Sequence, residues 1–531
     1  MTEPLQRAEP ARPLRALCRR SLITSIACVG LASGAEVVIG DVAIVSPELS
    51  RASAPRNVLI RDGRIAAISD KPVLAPRAQR VNGRGKFLAP GLMDSHVHTA
   101  DPVGLPYGSD DPNIASLRAA FLQQQPRSYL YFGVTQLLDT NSNPELSARF
   151  VAAPQHPDLF WCGGAPVLNG YPTALIDPSV RYEIMPNWIY EPANAHDHPL
   201  PAGANAQDHT PEAVVERIAA SGARCIKVFV EDGFGERSGW PLLSEASLRR
   251  VSAAARAKGL PVLVHANALD AQQRAVAGGV DVLAHGLWHW QKSNTPDGVP
   301  APIAEHLRAV HARKIGYQPT LRVIYGEADL FREDTLKDPV YAKVVPSALL
   351  AWYGTAAGQW YKREMQADIG DVPDAKVMQM ELQVGSRNLR AAKYLHDLGH
   401  PLLLASDTPS GPIYGNQPGY DTYREMRAMA QAGIPLDAIL RAATLNNVRQ
   451  FGLERDYGSV QVGKIANLLL LSSNPLESIR AWSAIERIVL HGEVIERDSL
   501  AADPAGPVSR PSTQKRCPNF TPIVRGRNGT I

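Results

Sequence analysis

The chain lacks a strong excess of either charge. Its 55 basic and 52 acidic residues leave a formal net charge of only +3. The first 34 residues carry five arginines and two glutamates, so this segment accounts for the whole surplus. A basic surface for nucleic acid is therefore not expected. Long apolar runs are also scarce, since no segment after residue 34 approaches the roughly 20 apolar residues that a membrane span needs.

Cysteine is rare as well. Only five cysteines occur, and Cys18 and Cys28 lie within the first 34 residues. The other three, Cys162, Cys225 and Cys517, show no spacing typical of a disulfide framework or a zinc finger. Cysteine usage therefore does not decide the compartment.

Residues 1–34 have the order of a secretory signal. Arg19 and Arg20 precede the apolar stretch 21–31, and small residues follow at 32–35. The twin arginine favours a Tat-type export route. We therefore expect a secreted or periplasmic protein, with a basic leader on a cytoplasmic protein as the alternative.

The rest of the chain has the composition of a folded protein, with 45% hydrophobic and 20% charged residues. Short strand patterns occupy residues 35–89 and return at 455–500. Within them, Asp62-Gly63 and His491-Gly492 are typical of hairpin turns. We expect the two ends to fold together as a small discontinuous β-sandwich, followed by a tail at 501–531.

Between these ends, residues 90–454 alternate apolar strands with stretches of helical length. Thr210 and Ser244 are typical N-cap residues of two such helices. Eight strand candidates end near His98, Leu138, Pro166, Phe229, His265, His285, Leu321 and Ser406. Eight strand–helix units predict an α/β fold of the (β/α)8 TIM barrel type.

Two connections exceed the usual few residues. They follow the third and seventh predicted strands, at 167–210 and at about 322–375, and both are rich in aromatic residues. One interpretation is a covered, apolar substrate pocket on the face where barrels keep their chemistry. The other is that the rings pack these connections onto the barrel.

Six side chains suited to metal chemistry lie at or near the ends of the predicted strands: His96, His98, Lys227, His265, His285 and Asp407. Imidazoles and a carboxylate are good ligands for divalent metals. A lysine inside a buried strand is costly unless its charge is paired or removed. Its reaction with carbon dioxide would give a carbamate, whose oxygens can bridge two cations.

Each of these residues has an ordinary explanation when taken alone. Lys227 could extend out of the barrel end, a histidine could be a hydrogen-bonded core residue, and Asp407 could cap the following segment. Six independent explanations are improbable together. Since the carboxyl ends of barrel strands meet on one face, the pattern predicts a metal site there.

The arrangement resembles the amidohydrolase superfamily in its two-metal form. An HxH motif follows Pro-Gly-Leu at 90–92, and Lys, His, His and Asp stand on predicted strands four, five, six and eight. The similarity covers nearly the whole chain after the leader and is greatest to the imidazolonepropionase-like and prolidase or Xaa-Arg dipeptidase branch. Asn467 stands where this family commonly has an aspartate.

The resemblance implies two divalent metal ions, with zinc the expected metal. His96, His98 and Asp407 would hold one ion, and His265 and His285 the other. A carboxylated Lys227 and a hydroxide would bridge the pair. Asp407 would also act in catalysis, taking the proton of the attacking hydroxide and returning it to the leaving group.

The same resemblance implies a metal-dependent hydrolase of carbon–nitrogen bonds, acting on a dipeptide or an N-acyl amino acid. The presence of Lys227, and the absence of a glutamate shortly after His265, favour hydrolysis over deamination of a ring. An ester, lactone or cyclic-amide hydrolase with the same metal centre is the alternative. A barrel protein that binds without catalysis is a third interpretation.

Four residues are candidates for contacting a small-molecule substrate: Asn267, His289, Arg322 and Tyr171. Asn267 could donate one hydrogen bond, where some dipeptidases of this branch have a tyrosine that polarises the substrate carbonyl. His289, between two tryptophans, could bind substrate or stack. Arg322 could clamp a carboxylate or form a surface ion pair. Nothing in the sequence decides between a monomer and a homo-oligomer.

Overall fold

The computed structural model describes residues 36–502, apart from residues 110, 235–236 and 371. The leader expected at 1–34 and nearly all of the tail expected at 501–531 lie outside the described residues. Within the described ranges, no helix combines the length and the apolar character needed to cross a membrane.

Both ends of the described chain contribute to one eight-stranded sheet. Its strands are Val37–Ile44, Pro55–Arg61, Arg64–Ser69, Gln79–Asn82, Phe87–Pro90, Leu468–Leu471, Ile485–Leu490 and Glu493–Glu496. The two halves join where Phe87–Pro90 pairs antiparallel with Leu468–Leu471. At both predicted hairpins, Asp62-Gly63 and His491-Gly492, the two turn residues have positive φ, as a two-residue turn requires. The predicted association of the chain ends is confirmed.

Seven parallel strands form a second sheet, which is the barrel. In chain order they are Leu92–Val97, Val134–Asp139, Asp158–Gly164, Cys225–Phe229, Val262–His265, Val282–Ala284 and Gly316–Gln318. An irregular eighth segment, 401–408, closes the barrel. Leu403 N–H donates to Tyr317 O at 3.0 Å, and Ser95 N–H donates to Leu404 O at 3.1 Å. The segment therefore lies between the seventh and first strands, and the predicted TIM barrel is confirmed.

Helices follow most barrel strands. The helices of eight or more residues are Pro112–Tyr131, Pro144–Val151, Pro211–Ala220, Glu245–Ala257, Leu269–Ala277, Ala301–Ala312, Leu321–Leu330, Trp360–Asp368, Asp374–Asp397 and Tyr420–Gln431. Shorter helices span Arg181–Ile184, Tyr341–Val344, Ser347–Tyr353, Leu436–Arg441 and Asn447–Gln450, and Ala442–Asn446 is a π-helical turn. Thr210 and Ser244 accept backbone N–H bonds as predicted N-caps.

The seventh barrel strand ends earlier than the sequence predicts. It stops at Gln318, and helix Leu321–Leu330 begins where the prediction placed the strand end. Leu321, Val323 and Ile324 form a short apolar run there, and such a run does not distinguish a strand from a buried helix. Arg322 consequently lies in the first turn of a helix. Much of the long connection after it is also helical.

Cys162 and Cys225 form a disulfide, which corrects the expectation drawn from cysteine spacing. The two residues lie opposite each other on the third and fourth barrel strands. Both are fully buried, and 63 residues separate them in sequence. The pairing follows from the register of the sheet, so local spacing carries no sign of it.

Candidate metal centre

The six residues predicted to bind metal lie along the barrel segments that face the expected active-site end. His96 is in the first strand and His98 directly follows it, Lys227 is in the fourth strand, His265 ends the fifth, His285 follows the sixth, and Asp407 is in the eighth segment. All except His98 are at least nine-tenths buried.

Asp407 is the centre of this group. Its Oδ1 lies 3.1 Å from His96 Nε2 and 2.9 Å from His98 Nε2. Its Oδ2 lies 3.4 Å from His285 Nδ1. One ligand atom from each of His96, His285 and Asp407 fits within 4.8 Å of the others. These three residues are therefore close enough to share a cation.

His265 and Lys227 complete the cluster. The ring of His265 lies 4.6 Å from that of His285, measured between centroids. Lys227 is 2% exposed, and burial lowers its pKa to about 7, although the nearby charge of Asp407 opposes the shift. Much of this amine is therefore neutral near pH 7, and the neutral amine is the form that reacts with carbon dioxide.

The hydrogen bonds of His96 show which ring nitrogen carries the proton and which presents a lone pair to Asp407. Gln318 Nε2 donates to Ser95 O at 2.8 Å, so Gln318 Oε1 is the atom that faces His96 Nδ1 at 3.1 Å. An amide oxygen only accepts, so Nδ1 of His96 carries the proton. Burial lowers the pKa of His96 to about 3, which keeps the ring neutral. Its Nε2 therefore presents a lone pair.

Two acceptors consequently face each other in the site. Burial raises the pKa of Asp407, but the surrounding histidines outweigh it and hold that pKa well below the ordinary value. Within the described part of the chain, the buried His96 Nε2 has no hydrogen-bond donor, and it lies 3.1 Å from Asp407 Oδ1. A cation satisfies such a pair. The donor set fits a divalent metal.

Three residues of this site have a left-handed backbone conformation. His285, Thr320 and Asp407 have φ values of +81°, +44° and +56°. This left-handed region is unfavourable for residues with a side chain and often marks functional sites. Thr320 also contacts the ligand cluster, since its Oγ1 lies 3.1 Å from His285 Nδ1.

Three contacting residues escaped the sequence analysis. Gln318 is the last residue of the seventh strand and Thr320 lies two residues beyond it, and placing the strand end near Leu321 concealed both. Glu231 lies two residues after the fourth strand, with its Oε2 3.3 Å from His265 Nε2. A carboxylate at the carboxyl end of a barrel strand is the signal that could have revealed Glu231.

Three of the four candidate substrate residues lie around His265. Asn267 Nδ2 is 3.2 Å from His265 Nε2, and the Tyr171 ring centroid is 4.7 Å from that of His265. His289 is adjacent because its N–H donates to Asn267 O at 3.1 Å. On the next segment, the Trp288 ring lies 5.2 Å from that of His285.

Arg322 lies elsewhere. Its Nη2 is 2.6 Å from Asp329 Oδ2, and its Nε is 3.3 Å from Asp421 Oδ1. It lines a cavity of about 510 Å³ that contains none of the six predicted metal ligands. The structure thus places Arg322 in a buried ion-pair network, whereas the sequence suggested a substrate clamp or a surface pair. The early end of the seventh strand is the reason.

A sequence profile of the amidohydrolase family matches residues 87–495. Over 310 residues the chain is 25% identical to imidazolonepropionase of Stenotrophomonas maltophilia (strain R551-3), covering 54% of this chain and 68% of that protein. A stretch of 48 residues is 44% identical to dihydroorotase of Bacillus cytotoxicus, covering 9% of this chain and 11% of that protein.

Solved structures of similar fold include a prolidase complexed with N-methylphosphonate-L-proline, with a TM-score of 0.60 and 21% identity over 87% of this chain and 100% of that one. A Xaa-Pro dipeptidase with methionine bound in its active site has a TM-score of 0.59 and 18% identity, with the same coverage. Molinate hydrolase has a TM-score of 0.61 and 18% identity over 91% and 99% of the two chains. At these identities the similarity concerns the fold.

Proposed function

Because the chain belongs to the amidohydrolase family and is a hydrolase of carbon–nitrogen bonds, we propose that its substrate is a dipeptide or an N-acyl amino acid. The observation that carries the proposal is the convergence of three imidazoles on the carboxylate of Asp407. The names of the prolidase and the Xaa-Pro dipeptidase support a peptide or related amide as the bond that is cleaved.

We propose that the site holds two divalent ions, with zinc as the first candidate. The residues that would hold them are His96, His98 and Asp407 for one ion, His265 and His285 for the other, and carboxylated Lys227 for both. When bound, such a metal pair polarises the scissile carbonyl and lowers the pKa of water.

The chain's own residues supply proton transfer and positioning. Asp407 would accept the proton of the attacking water, because its carboxylate lies at the centre of the imidazole cluster. Returning this proton to the leaving nitrogen completes the hydrolysis, which converts an amide and water into a carboxylic acid and an amine. Gln318 fixes the ring of His96, and Thr320 contacts that of His285. Tyr171 covers His265.

A screen of the purified, metal-loaded protein tests this function. We expect hydrolysis of dipeptides or N-acyl amino acids in preference to lactones and cyclic amides. Asp407→Asn should lower kcat at least about a hundredfold, while the partly exposed control Asp437→Asn should not. Elemental analysis should find two ions per chain. Less than one ion, together with no turnover of any compound, would favour the non-catalytic binding protein instead.

We also propose that the protein works outside the cytoplasm. The order of charges and apolar residues in 1–34 supports export, and the buried Cys162–Cys225 disulfide agrees with an oxidising compartment. N-terminal sequencing of protein recovered from the periplasm or the medium should find the leader removed. Recovery of only the full-length chain, in the cytoplasm, would contradict export.

A further inference from the structure

Glu231 fixes the orientation of a neighbouring amide. Its Oε2 lies 3.4 Å from Asn267 Nδ2 and 3.3 Å from His265 Nε2, and its Oε1 accepts Gly233 N–H at 3.2 Å. A carboxylate only accepts hydrogen bonds, so the NH2 end of Asn267 must be the end that faces it. The amide oxygen of Asn267 therefore points away from Glu231.

Among the residues that the structure describes, this oxygen has no hydrogen-bond partner. Asn267 is 2% exposed, and its Oδ1 is buried. A buried acceptor left unpaired costs about 1–3 kcal/mol, and such groups are uncommon in native proteins. Asn267 lies two residues beyond His265, at the carboxyl end of the fifth strand. The missing donor therefore belongs beside the candidate metal centre.

Trp288 supplies a second unpaired polar group, which is a hydrogen-bond donor rather than an acceptor. Its indole Nε1–H is buried, and the described ranges offer it no acceptor. Its backbone N–H donates to Asn267 O at 3.0 Å, which joins the two residues. Its ring lies against that of His285. One unpaired acceptor and one unpaired donor thus occur on adjacent segments next to His265 and His285, and an amide offers the complement of both.

The geometry points to Asn267 as the acceptor of a substrate N–H, with Glu231 as the positioning residue that holds the amide in this orientation. This deepens the proposed function and rests on it. The preferred substrate is then a secondary amide. An ester has no N–H at this position, and neither does the peptide bond before proline. The role differs from that of a donor to the substrate carbonyl, which the sequence suggested for Asn267.

Three matched compounds test the inference: N-acetyl-L-alanine, N-acetyl-N-methyl-L-alanine and O-acetyl-L-lactate. They carry N–H, N–CH3 and O at the same position. For Asn267→Ala we expect kcat/KM to fall about tenfold to a hundredfold for the N–H compound, and less than about twofold for the ester. Glu231→Gln should cause a smaller loss of kcat/KM, again larger for the N–H compound than for the ester. The reason is that the side-chain amide of Asn267 can then turn. The exposed residues Asn294 and Glu305 provide control variants, Asn294→Ala and Glu305→Gln.

The ratio of kcat/KM for the amide to kcat/KM for the ester distinguishes loss of substrate recognition from general damage to the site. If either site variant lost activity equally toward both compounds, or lost bound metal, the inference would be overturned. Failure of the wild type to hydrolyse any of the three compounds would refute the proposed function. Calorimetric titration of binding would then test the role of Asn267 separately. The N–H compound must bind the wild type at least about tenfold more tightly than it binds Asn267→Ala. Equal or absent binding overturns the inference.

Discussion

Replacing Arg322 with methionine should destabilise the protein without weakening the binding of a substrate carboxylate. The side chain is 6% exposed, and its guanidinium is bound to Asp329 and Asp421. Asp421 is fully buried, and its Oδ2 already lacks a hydrogen-bond partner in the described part of the chain. Burial raises the pKa of Asp421, and the charges of Arg322 and Arg424 oppose that shift. Removing Arg322 thus leaves a buried carboxylate poorly compensated.

Breaking a buried ion pair on one side costs about 3–5 kcal/mol. Arg424 still contacts both Asp329 and Asp421, so we expect the lower end, about 3 kcal/mol. Urea denaturation followed by circular dichroism measures the change. The matched control is Arg332→Met, since Arg332 and its partner Asp334 are 50% and 67% exposed. That surface pair should contribute less than about 1 kcal/mol.

A second substitution separates an ion-pair role from a packing role. In the double variant Arg322→Met with Asp421→Asn, the uncompensated charge is gone, so part of the lost stability should return. Steady-state kinetics provides the opposite test. If Arg322→Met kept its stability within about 1 kcal/mol, but raised KM only for substrates with a free carboxylate, Arg322 would be the substrate clamp and this reasoning would be refuted.

Three further predictions concern other parts of the chain. Lys227→Ala should lose bound metal and turnover, with partial recovery in short carboxylic acids; full metal content and activity would exclude its bridging role. Asn467→Asp should lower the melting temperature, because Asn467 Nδ2 donates to Asp158 at 2.8 Å and a second carboxylate there would cost about 1–2 kcal/mol; an unchanged calorimetric midpoint would contradict this. Replacing Cys162 and Cys225 together by alanine should cost about 4 kcal/mol for a 63-residue loop; free thiols at both positions in the unreduced wild type would disprove the bond.

The barrel, and the convergence of its histidines on Asp407, could be predicted because their signals lie along the chain. Each of His265 and His285 ends or follows an apolar strand, and His96 and His98 share one side of a strand by its period of two. Parallel strands of a barrel bring their carboxyl ends together, so strand order alone predicts that such side chains meet.

Features that depend on pairing between segments could not be predicted in this way. The Cys162–Cys225 bond depends on the register of two adjacent strands. The contact between Glu231 and Asn267 likewise crosses from the fourth strand region to the fifth. Arg322 was misplaced for a different reason, since a short apolar run is compatible with either a strand or a buried helix.

The irregular eighth segment has a physical explanation that connects the fold to the site. Asp407 has positive φ, so the regular strand geometry breaks at this residue, although its N–H still donates to His96 O at 2.8 Å. Asp94 of the first strand also holds the segment: its Oδ1 accepts Ser406 N–H at 3.0 Å, and its Oδ2 accepts the hydroxyls of Ser406 at 2.6 Å and Thr422 at 2.7 Å. Burial raises the pKa of Asp94 to about 6, although these hydrogen bonds oppose the shift. The buried carboxylate of Asp94 thus adds side-chain hydrogen bonds to the backbone bonds next to Asp407, and the first strand positions both its own histidines and the acid they face.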